Sequence, residues 1–171
     1  MSLLPLDLDA KLEIVGDGDQ RKHLERLADQ LGIADRVTFT GYVSDDELRE
    51  AYTRATVLGM PSIAELQSIV TMEAMASALP VVAANAMALP HLVHDGENGF
   101  LFTPGDTQEL ADKLEIVFRM PQDELTAMKK ASLRLIAAHD IQRTLSTFEC
   151  LYRGEAVPEM IVTDAAPAAA D

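Results

Sequence analysis

MPSIAELQSIVTMEAMASALPVV, residues 60–82, is the stretch that decides the fold. The apolar run before it ends at Pro61, and a polar loop then leads into a helical pattern that Pro80 stops. A second apolar run follows at once, so the unit predicts a strand–helix–strand crossover. Its loop lies at the carboxyl end of a strand, where open α/β sheets bind ligands. The predicted inner face of the helix carries Ile69, Met72 and Ala76.

Two carboxylates in this unit, Glu65 and Glu73, are placed to act differently. If the helix starts near Ser68, Glu65 precedes it, whereas Glu73 lies more than one turn inside and faces away from the predicted inner face. A carboxylate before a helix N-terminus can accept hydrogen bonds from ligand hydroxyls, and the free amides of residues 67–69 can hold an anion. On these residues alone an alternative stays open, in which Glu65 only stabilises the helix dipole and Glu73 is a solvated surface residue.

The two glutamates also carry a family resemblance, because seven residues separate them and Leu79-Pro80-Val81-Val82-Ala83 follows. This pattern resembles the E-x7-E signature of the group 1 (family four) retaining glycosyltransferases. The order and spacing of the matching residues make the resemblance specific. The resemblance covers about residues 11–152 of this chain. Three further blocks agree in the same order, LEIVGDG at 12–18, RVTFTG at 36–41 and DGENGFL at 95–101.

The resemblance implies a fold, an activity and a set of roles. It implies the C-terminal, donor-binding half of a two-domain GT-B enzyme that transfers a hexose-type sugar, with retention, from a nucleotide sugar to an unidentified acceptor. Glu65 would contact hydroxyls of the transferred sugar and serve as the catalytic-site residue, and Glu73 would bind the ribose. The amides of Gln67, Ser68 and Ile69 would hold the diphosphate. No metal ion and no cofactor would be needed besides the donor itself.

Two further segments enter the predicted site through the same resemblance. Gly16 would line the donor cleft, and Tyr42-Val43 would lie against the nucleotide base. Without the resemblance, Gly16-Asp17-Gly18 is a turn, since Asp17 would repel a phosphate. Tyr42 is then an ordinary aromatic residue at the edge of the core.

The chain departs from the family pattern at several positions. Gln67-Ser68 stands where an aromatic residue followed by glycine is common, Ala78 replaces a usual glycine, and Met87-Ala88 replaces a usual glycine pair. The family's Gly-Arg and Lys segment, whose cations face the diphosphate, has no counterpart in residues 1–11. The resemblance therefore predicts an incomplete phosphate site, and an isolated fragment without turnover whose missing partner is an N-terminal acceptor-binding domain.

The whole chain repeats the strand–helix order. Five predicted strands with helices between them indicate a Rossmann-like α/β domain, a parallel sheet with helices on both faces. We predict a leader or cloning remnant over residues 1–10, the donor domain over 11–153 and a disordered tail over 154–171. The apolar faces of the last two helices exceed what one sheet face must receive, which predicts that part of them belongs to a partner domain.

Composition limits the partners. Twenty-eight acidic against 14 basic residues give a net charge of −14, which disfavours nucleic acid and anionic lipid. The single cysteine, Cys150, excludes an internal disulfide, and no apolar run has the length of a membrane span. These observations predict a soluble, cytoplasmic protein. The pair His91 and His94 lacks further ligands of the kind that zinc uses, so no metal site is predicted.

Two other classes of function remain open at this stage. A non-catalytic α/β module that binds a protein partner would need no ligand at the Glu65 loop. Another kind of nucleotide-binding enzyme would show Gly-x-Gly-x-x-Gly after the first strand, and the segment Gly16–Arg21 lacks its last glycine.

Overall fold

The computed structural model describes residues 1–156 and has the predicted order of elements. The strands are β1 (Leu12–Val15), β2 (Val37–Gly41), β3 (Leu58–Met60), β4 (Val81–Ala84) and β5 (Gly99–Phe102). The helices are α1 (Arg21–Gln30), α2 (Asp45–Arg54), α3 (Ile69–Ala76), α4 (Leu89–Leu92), α5 (Thr107–Arg119), α6 (Gln122–Ile136) and α7 (Ile141–Arg153). Short 3-10 turns occupy Leu6–Leu8, Ala34–Arg36 and Ala137–His139. All strand pairs are parallel, as the predicted Rossmann-like α/β fold requires.

The core of the domain surrounds β4. All four β4 residues are fully buried. Because successive side chains of a strand point to opposite faces, both faces of this part of the sheet are covered by helices. Met75 of α3, Leu89 of α4 and Val117 of α5 complete the same hydrophobic cluster. The prediction of helices on both faces is thus confirmed for the β3–β4–β5 sheet.

The strands form two hydrogen-bonded sheets where a single sheet was expected. One contains β1 and β2, and the other has the order β3–β4–β5. No ladder joins β1 to β3 within residues 1–156. Periodicity identifies strands but does not say which strands are neighbours, so the sequence pattern could not predict this division. The β1–β2 part is also thinly packed, since between residues 11 and 56 only Ala28 and Gly41 are buried.

The inner face of α3 differs from the prediction. Of the three predicted residues only Met72 packs against the core; Ile69 is 61% exposed and Ala76 is also exposed. Thr71, Ala74 and Met75 are the residues of α3 that are buried. Nearly every residue of α3 is apolar or small, so its sequence has only a weak amphipathic period and the buried face could not be chosen from it. Glu73 lies on the exposed side, as predicted.

The first ten residues pack against the domain, which the leader prediction did not anticipate. Leu4 and Ala10 are buried against Ala111 of α5. The Arg36 Nε donates a hydrogen bond to the Ala10 carbonyl oxygen at 3.1 Å. These residues show neither a helical nor a strand period, so no periodic pattern indicates that they pack. Whether any of them is a cloning remnant stays a prediction.

The two C-terminal helices differ in how they are covered. On α6, Met128, Ala131 and Ser132 are buried, and the Ser132 Oγ donates to the Leu79 carbonyl oxygen at 2.7 Å. This helix therefore packs on the domain with most of its apolar face, and Leu133, which is 45% exposed, is its exposed large apolar residue. On α7, by contrast, no residue is buried and Phe148 is 53% exposed.

The end of the chain is described only in part. Gly154 closes α7 in a left-handed conformation, at the point where the predicted tail begins. Residues 157–171 of that tail lie outside the described residues. No helix within residues 1–156 combines the length and apolarity needed to cross a bilayer.

Candidate functional site

The loop between β3 and α3 brings Glu65 to the carboxyl edge of the β3–β4–β5 sheet. Its side chain is half-buried. Its backbone carbonyl oxygen accepts a hydrogen bond from the Ala88 amide at 3.1 Å. Ala88 belongs to the loop that follows β4, so two adjacent loops at the same edge of the sheet are tied together. The carboxylate therefore lies where ligands of parallel sheets bind.

Ser68 fixes the start of α3. Its backbone has φ 49° and ψ 67°, in the left-handed region, and its buried Oγ lies 2.8 Å from the Thr71 Oγ1. The side chain therefore satisfies its own polar group and leaves the helix amides uncapped. Within residues 1–156, the amides of Gln67, Ser68 and Ile69 have no hydrogen-bond acceptor. Such free amides at the positive end of a helix dipole can receive an anion.

Glu73 is held by a residue that sequence reasoning missed. The Tyr52 hydroxyl, on α2, donates a hydrogen bond to the Glu73 Oε2 at 3.0 Å. Burial of the phenol, followed by its contact with the Glu73 carboxylate, raises the pKa of Tyr52. In the sequence Tyr52 falls in an apolar helical period with Leu48 and Ala55, and such a period carries no information on where a hydroxyl points. Only the three-dimensional contact identifies its polar role.

Gly16 and the Tyr42-Val43 segment lie on the β1–β2 sheet. Gly16 has a positive φ of 115°, and its amide donates to the Gly41 carbonyl oxygen at 2.9 Å. It borders a shallow depression of about 230 Å³ that Arg21 and Phe39 also line. Tyr42 is 87% exposed, so the alternative of a core-edge aromatic is wrong.

The predicted site residues thus fall into two groups. Glu65, Gln67, Ser68, Ile69 and Glu73 belong to the crossover between β3 and β4, whereas the other three belong to the β1–β2 sheet. No hydrogen bond joins the two groups within the described part of the chain.

A larger concavity of the domain than the one beside Gly16 lies elsewhere. It has a volume of about 540 Å³ and is bordered by Glu115, Arg119 and Glu124, between α5 and α6. Because α5 runs back from the carboxyl end of β5, the end of this helix is at the opposite edge of the sheet. Acidic groups around a single arginine have no evident relation to a nucleotide, so volume alone does not locate the site.

Comparison with known proteins assigns the family. The family model described as "Glycosyl transferases group 1" matches residues 1–134. The chain belongs to the group 1 glycosyl transferases. The sulfoquinovosyl transferase SQD2 of Arabidopsis thaliana is 39% identical to this group 1 chain over 109 residues, which are 62% of it and 21% of the relative. The D-inositol 3-phosphate glycosyltransferase of Mycolicibacterium smegmatis is 36% identical over 126 residues, 73% of the chain and 29% of the relative.

Solved structures agree with this group 1 assignment. Anabaena HepE in complex with UDP and glucose superimposes with a TM-score of 0.77 and 27% identity, over 91% of this chain and 42% of that one. The chain therefore has the fold of a GT-B C-terminal domain. It spans only about a fifth to a third of the length of the curated relatives described above.

The departures from the family pattern are also the strained positions of this group 1 domain. Ser68, Ala78 and Met87 stand where the family commonly has glycine, and they have positive φ values of 49°, 59° and 52°. Apart from Asp9, they are the only non-glycine residues within positions 1–156 in this conformation. An L side chain is disfavoured there, and glycine is not. The backbone at these three positions thus has a conformation that suits glycine best, although none of the three residues is glycine.

Proposed function

We propose that this chain is the nucleotide-sugar-binding domain of a retaining glycosyltransferase that transfers a hexose-type sugar. The observation that carries the proposal is the arrangement at α3, where Glu65 precedes free helix amides and Glu73 lies on the exposed side of the helix that follows. One crossover thus offers hydroxyl acceptors on both sides of an anion site, which is the pattern of a sugar diphosphate. Structures of HepE with UDP and with UDP-glucose support the same ligand class.

In this proposal each group has one task. Glu65 accepts hydrogen bonds from hydroxyls of the transferred sugar, and Glu73 accepts them from the ribose. The amides of Gln67, Ser68 and Ile69 hold the diphosphate, aided by the dipole of α3. Gly16 lets the backbone approach the donor, and Tyr42-Val43 contacts the base.

The reaction is a same-face displacement in which the leaving diphosphate assists deprotonation of the acceptor. The contribution of the protein is electrostatic, because fixed amides stabilise the charge that develops on the diphosphate as the sugar bond breaks. No metal ion takes part. The acceptor is bound by an N-terminal domain, so the chain by itself binds the donor without turnover, in the cytoplasm.

The first test is nucleotide binding by the 171-residue chain. Uridine, guanosine and adenosine diphosphates are added in turn, and amide shifts are followed by NMR. We expect shifts at residues 65–73 and a Kd near or above about 1 mM, since the cationic segment of the family is absent and the net charge is −14. A response at α5 and α6 with none at residues 65–73 would place the ligand elsewhere and refute the site. Micromolar binding would show that the cationic segment is not required.

The second test separates the two glutamates in an enzyme that contains both domains. Glu65→Gln should lower kcat by about tenfold to a thousandfold, because the sugar hydroxyls must be oriented as the bond breaks. Glu73→Gln should raise the donor KM and leave kcat nearly unchanged, because a ribose contact is alike in the ground and transition states.

The outcomes of this second test are distinct. Equal losses at both positions would contradict this division of roles. Unchanged kinetics in both variants would show that Glu65 only stabilises the helix dipole and that Glu73 is only a surface residue. The anomeric configuration of the product, read by NMR, tests retention directly.

A further inference from the structure

We propose that Tyr52 is a positioning residue for the donor ribose, which acts by holding the Glu73 carboxylate in its binding orientation. The inference rests on the proposed function, since it takes Glu73 as the ribose ligand. The Tyr52 hydroxyl donates to the Glu73 Oε2 at 3.0 Å. The second carboxylate oxygen, Oε1, has no partner within residues 1–156 and is free to accept a hydrogen bond from a ribose hydroxyl.

Tyr52 suits this role because it is half-buried, whereas Glu73 is exposed. A glutamate on an open helix face samples several rotamers, and each rotamer that points away from the ligand lowers the population able to bind. A tyrosine side chain has only two torsions, so it loses little conformational entropy when it makes a contact. One hydrogen bond from the phenol therefore selects the rotamer of the more flexible carboxylate before the ligand arrives.

The Glu73 carboxylate is the better of two acceptors near the Tyr52 hydroxyl. The hydroxyl also lies 3.5 Å from the Val70 carbonyl oxygen, at the limit of hydrogen-bond distance, so the carboxylate at 3.0 Å is the better acceptor. A phenol is protonated at neutral pH and burial raises the pKa of Tyr52 further, so the hydroxyl is available as a donor there.

The helix that carries Tyr52 is itself anchored on the other sheet. Arg54 makes two hydrogen bonds to the Glu13 carboxylate of β1, from Nε at 3.1 Å and from a terminal nitrogen at 2.5 Å. Thus α2 contacts β1 through Arg54 and contacts α3 through Tyr52. Tyr52 therefore orients Glu73 relative to the sheet that holds Gly16.

The test compares two ligands and three variants of the 171-residue chain. UDP carries both ribose hydroxyls, and 2′,3′-dideoxyuridine 5′-diphosphate carries neither. NMR titration gives the affinity of Tyr52→Phe, Glu73→Gln and the double variant for each ligand. Phenylalanine keeps the ring and its packing and removes only the hydroxyl.

We expect Tyr52→Phe to weaken UDP by about three- to tenfold and to leave the dideoxy ligand unchanged. Glu73→Gln should remove the same preference, and the double variant should be no weaker than Glu73→Gln alone, because both changes act on one contact. Tyr152→Phe is the matched control, since this tyrosine is 89% exposed on α7, and it should change neither affinity.

Each other outcome is decisive. If UDP binds the wild-type chain with shifts at residues 65–73 and Tyr52→Phe keeps the full preference for UDP, the positioning role is refuted while the donor site stands. Equal weakening of both ligands would mean that Tyr52 only supports the fold. Absence of any UDP response in the wild-type chain would refute the proposed function and this inference with it.

Discussion

Replacing Ala78 by glycine should stabilise the domain. Ala78 follows the last turn of α3 with φ 59°, and its amide donates to the Met75 carbonyl oxygen at 3.0 Å. The next amide, of Leu79, returns to the Ala74 carbonyl oxygen at 2.9 Å. This pair of bonds is a Schellman motif, in which glycine is the usual residue at the left-handed position.

The size of the effect follows from two opposing terms. A side chain in the left-handed conformation costs about 1–2 kcal/mol, and glycine removes this cost. Glycine also loses about 0.5–1 kcal/mol more conformational free energy on folding than alanine does. The midpoints of the two ranges give a net gain for Ala78→Gly of about 0.75 kcal/mol in the free energy of unfolding, or a rise in Tm of about 1.5–3 °C for a chain of this length.

Urea unfolding followed by circular dichroism measures this gain as a higher midpoint at an unchanged m-value. Ala127→Gly is the matched control, because Ala127 is an exposed residue inside α6. There glycine has no conformational advantage and should cost about 1 kcal/mol. If both variants lose stability to a similar extent, the left-handed conformation at residue 78 is not a source of strain and the reasoning fails.

Three further outcomes can be measured on the same chain. Asn98→Ala should lower the free energy of unfolding by about 2–4 kcal/mol in urea, because the buried amide pairs a backbone carbonyl oxygen at 3.0 Å and a backbone N–H at 2.8 Å, while the exposed Asn85→Ala should change little. Hydrogen bonds from the Ser44 amide and hydroxyl lower the pKa of Glu47, so the stability from this capping box is present above the ordinary glutamate pKa and is lost as the pH falls through the lowered pKa. The variant Ser44→Ala should raise the pKa of this carboxyl in an NMR titration, and an unchanged pKa would contradict the assignment. The exposed apolar face of α7 should give weak self-association in sedimentation that Phe148→Glu removes; a strictly monomeric wild-type chain with uniform amide protection through α7 would contradict this prediction.

Local signals in the sequence located most elements of the fold. Ser44 begins α2 through a capping box with Glu47, and the Asp106 side chain accepts hydrogen bonds from two amides at the start of α5. These devices depend on residues two or three positions apart, so a linear sequence contains them completely. The division of the strands into two sheets depends on contacts between distant segments, and no local pattern encodes it.

The same distinction applies to the candidate site. Glu65, Ser68 and Glu73 could be placed from sequence because a single crossover holds all three. The contact of Tyr52 with Glu73 joins residues 21 positions apart on different helices, so only the structure reveals it. The three positions where the family commonly has glycine could be predicted only in part. The family resemblance marks Ser68, Ala78 and Met87 as unusual, and the positive φ values of the structure show why glycine is favoured there.

The separation of the two sheets has a consequence for how tightly any donor can be held. Residues assigned to the sugar and the diphosphate belong to the β3–β4–β5 sheet, and those assigned to the base belong to the sparsely buried β1–β2 sheet. Local opening of the β1–β2 sheet then needs less free energy than unfolding of the whole domain. Only molecules in which both sheets are folded can bind the whole nucleotide. A ligand that spans both would slow hydrogen exchange at β1 and β2 as well as at α3, whereas pyrophosphate, which lacks a base, would slow it at α3 alone.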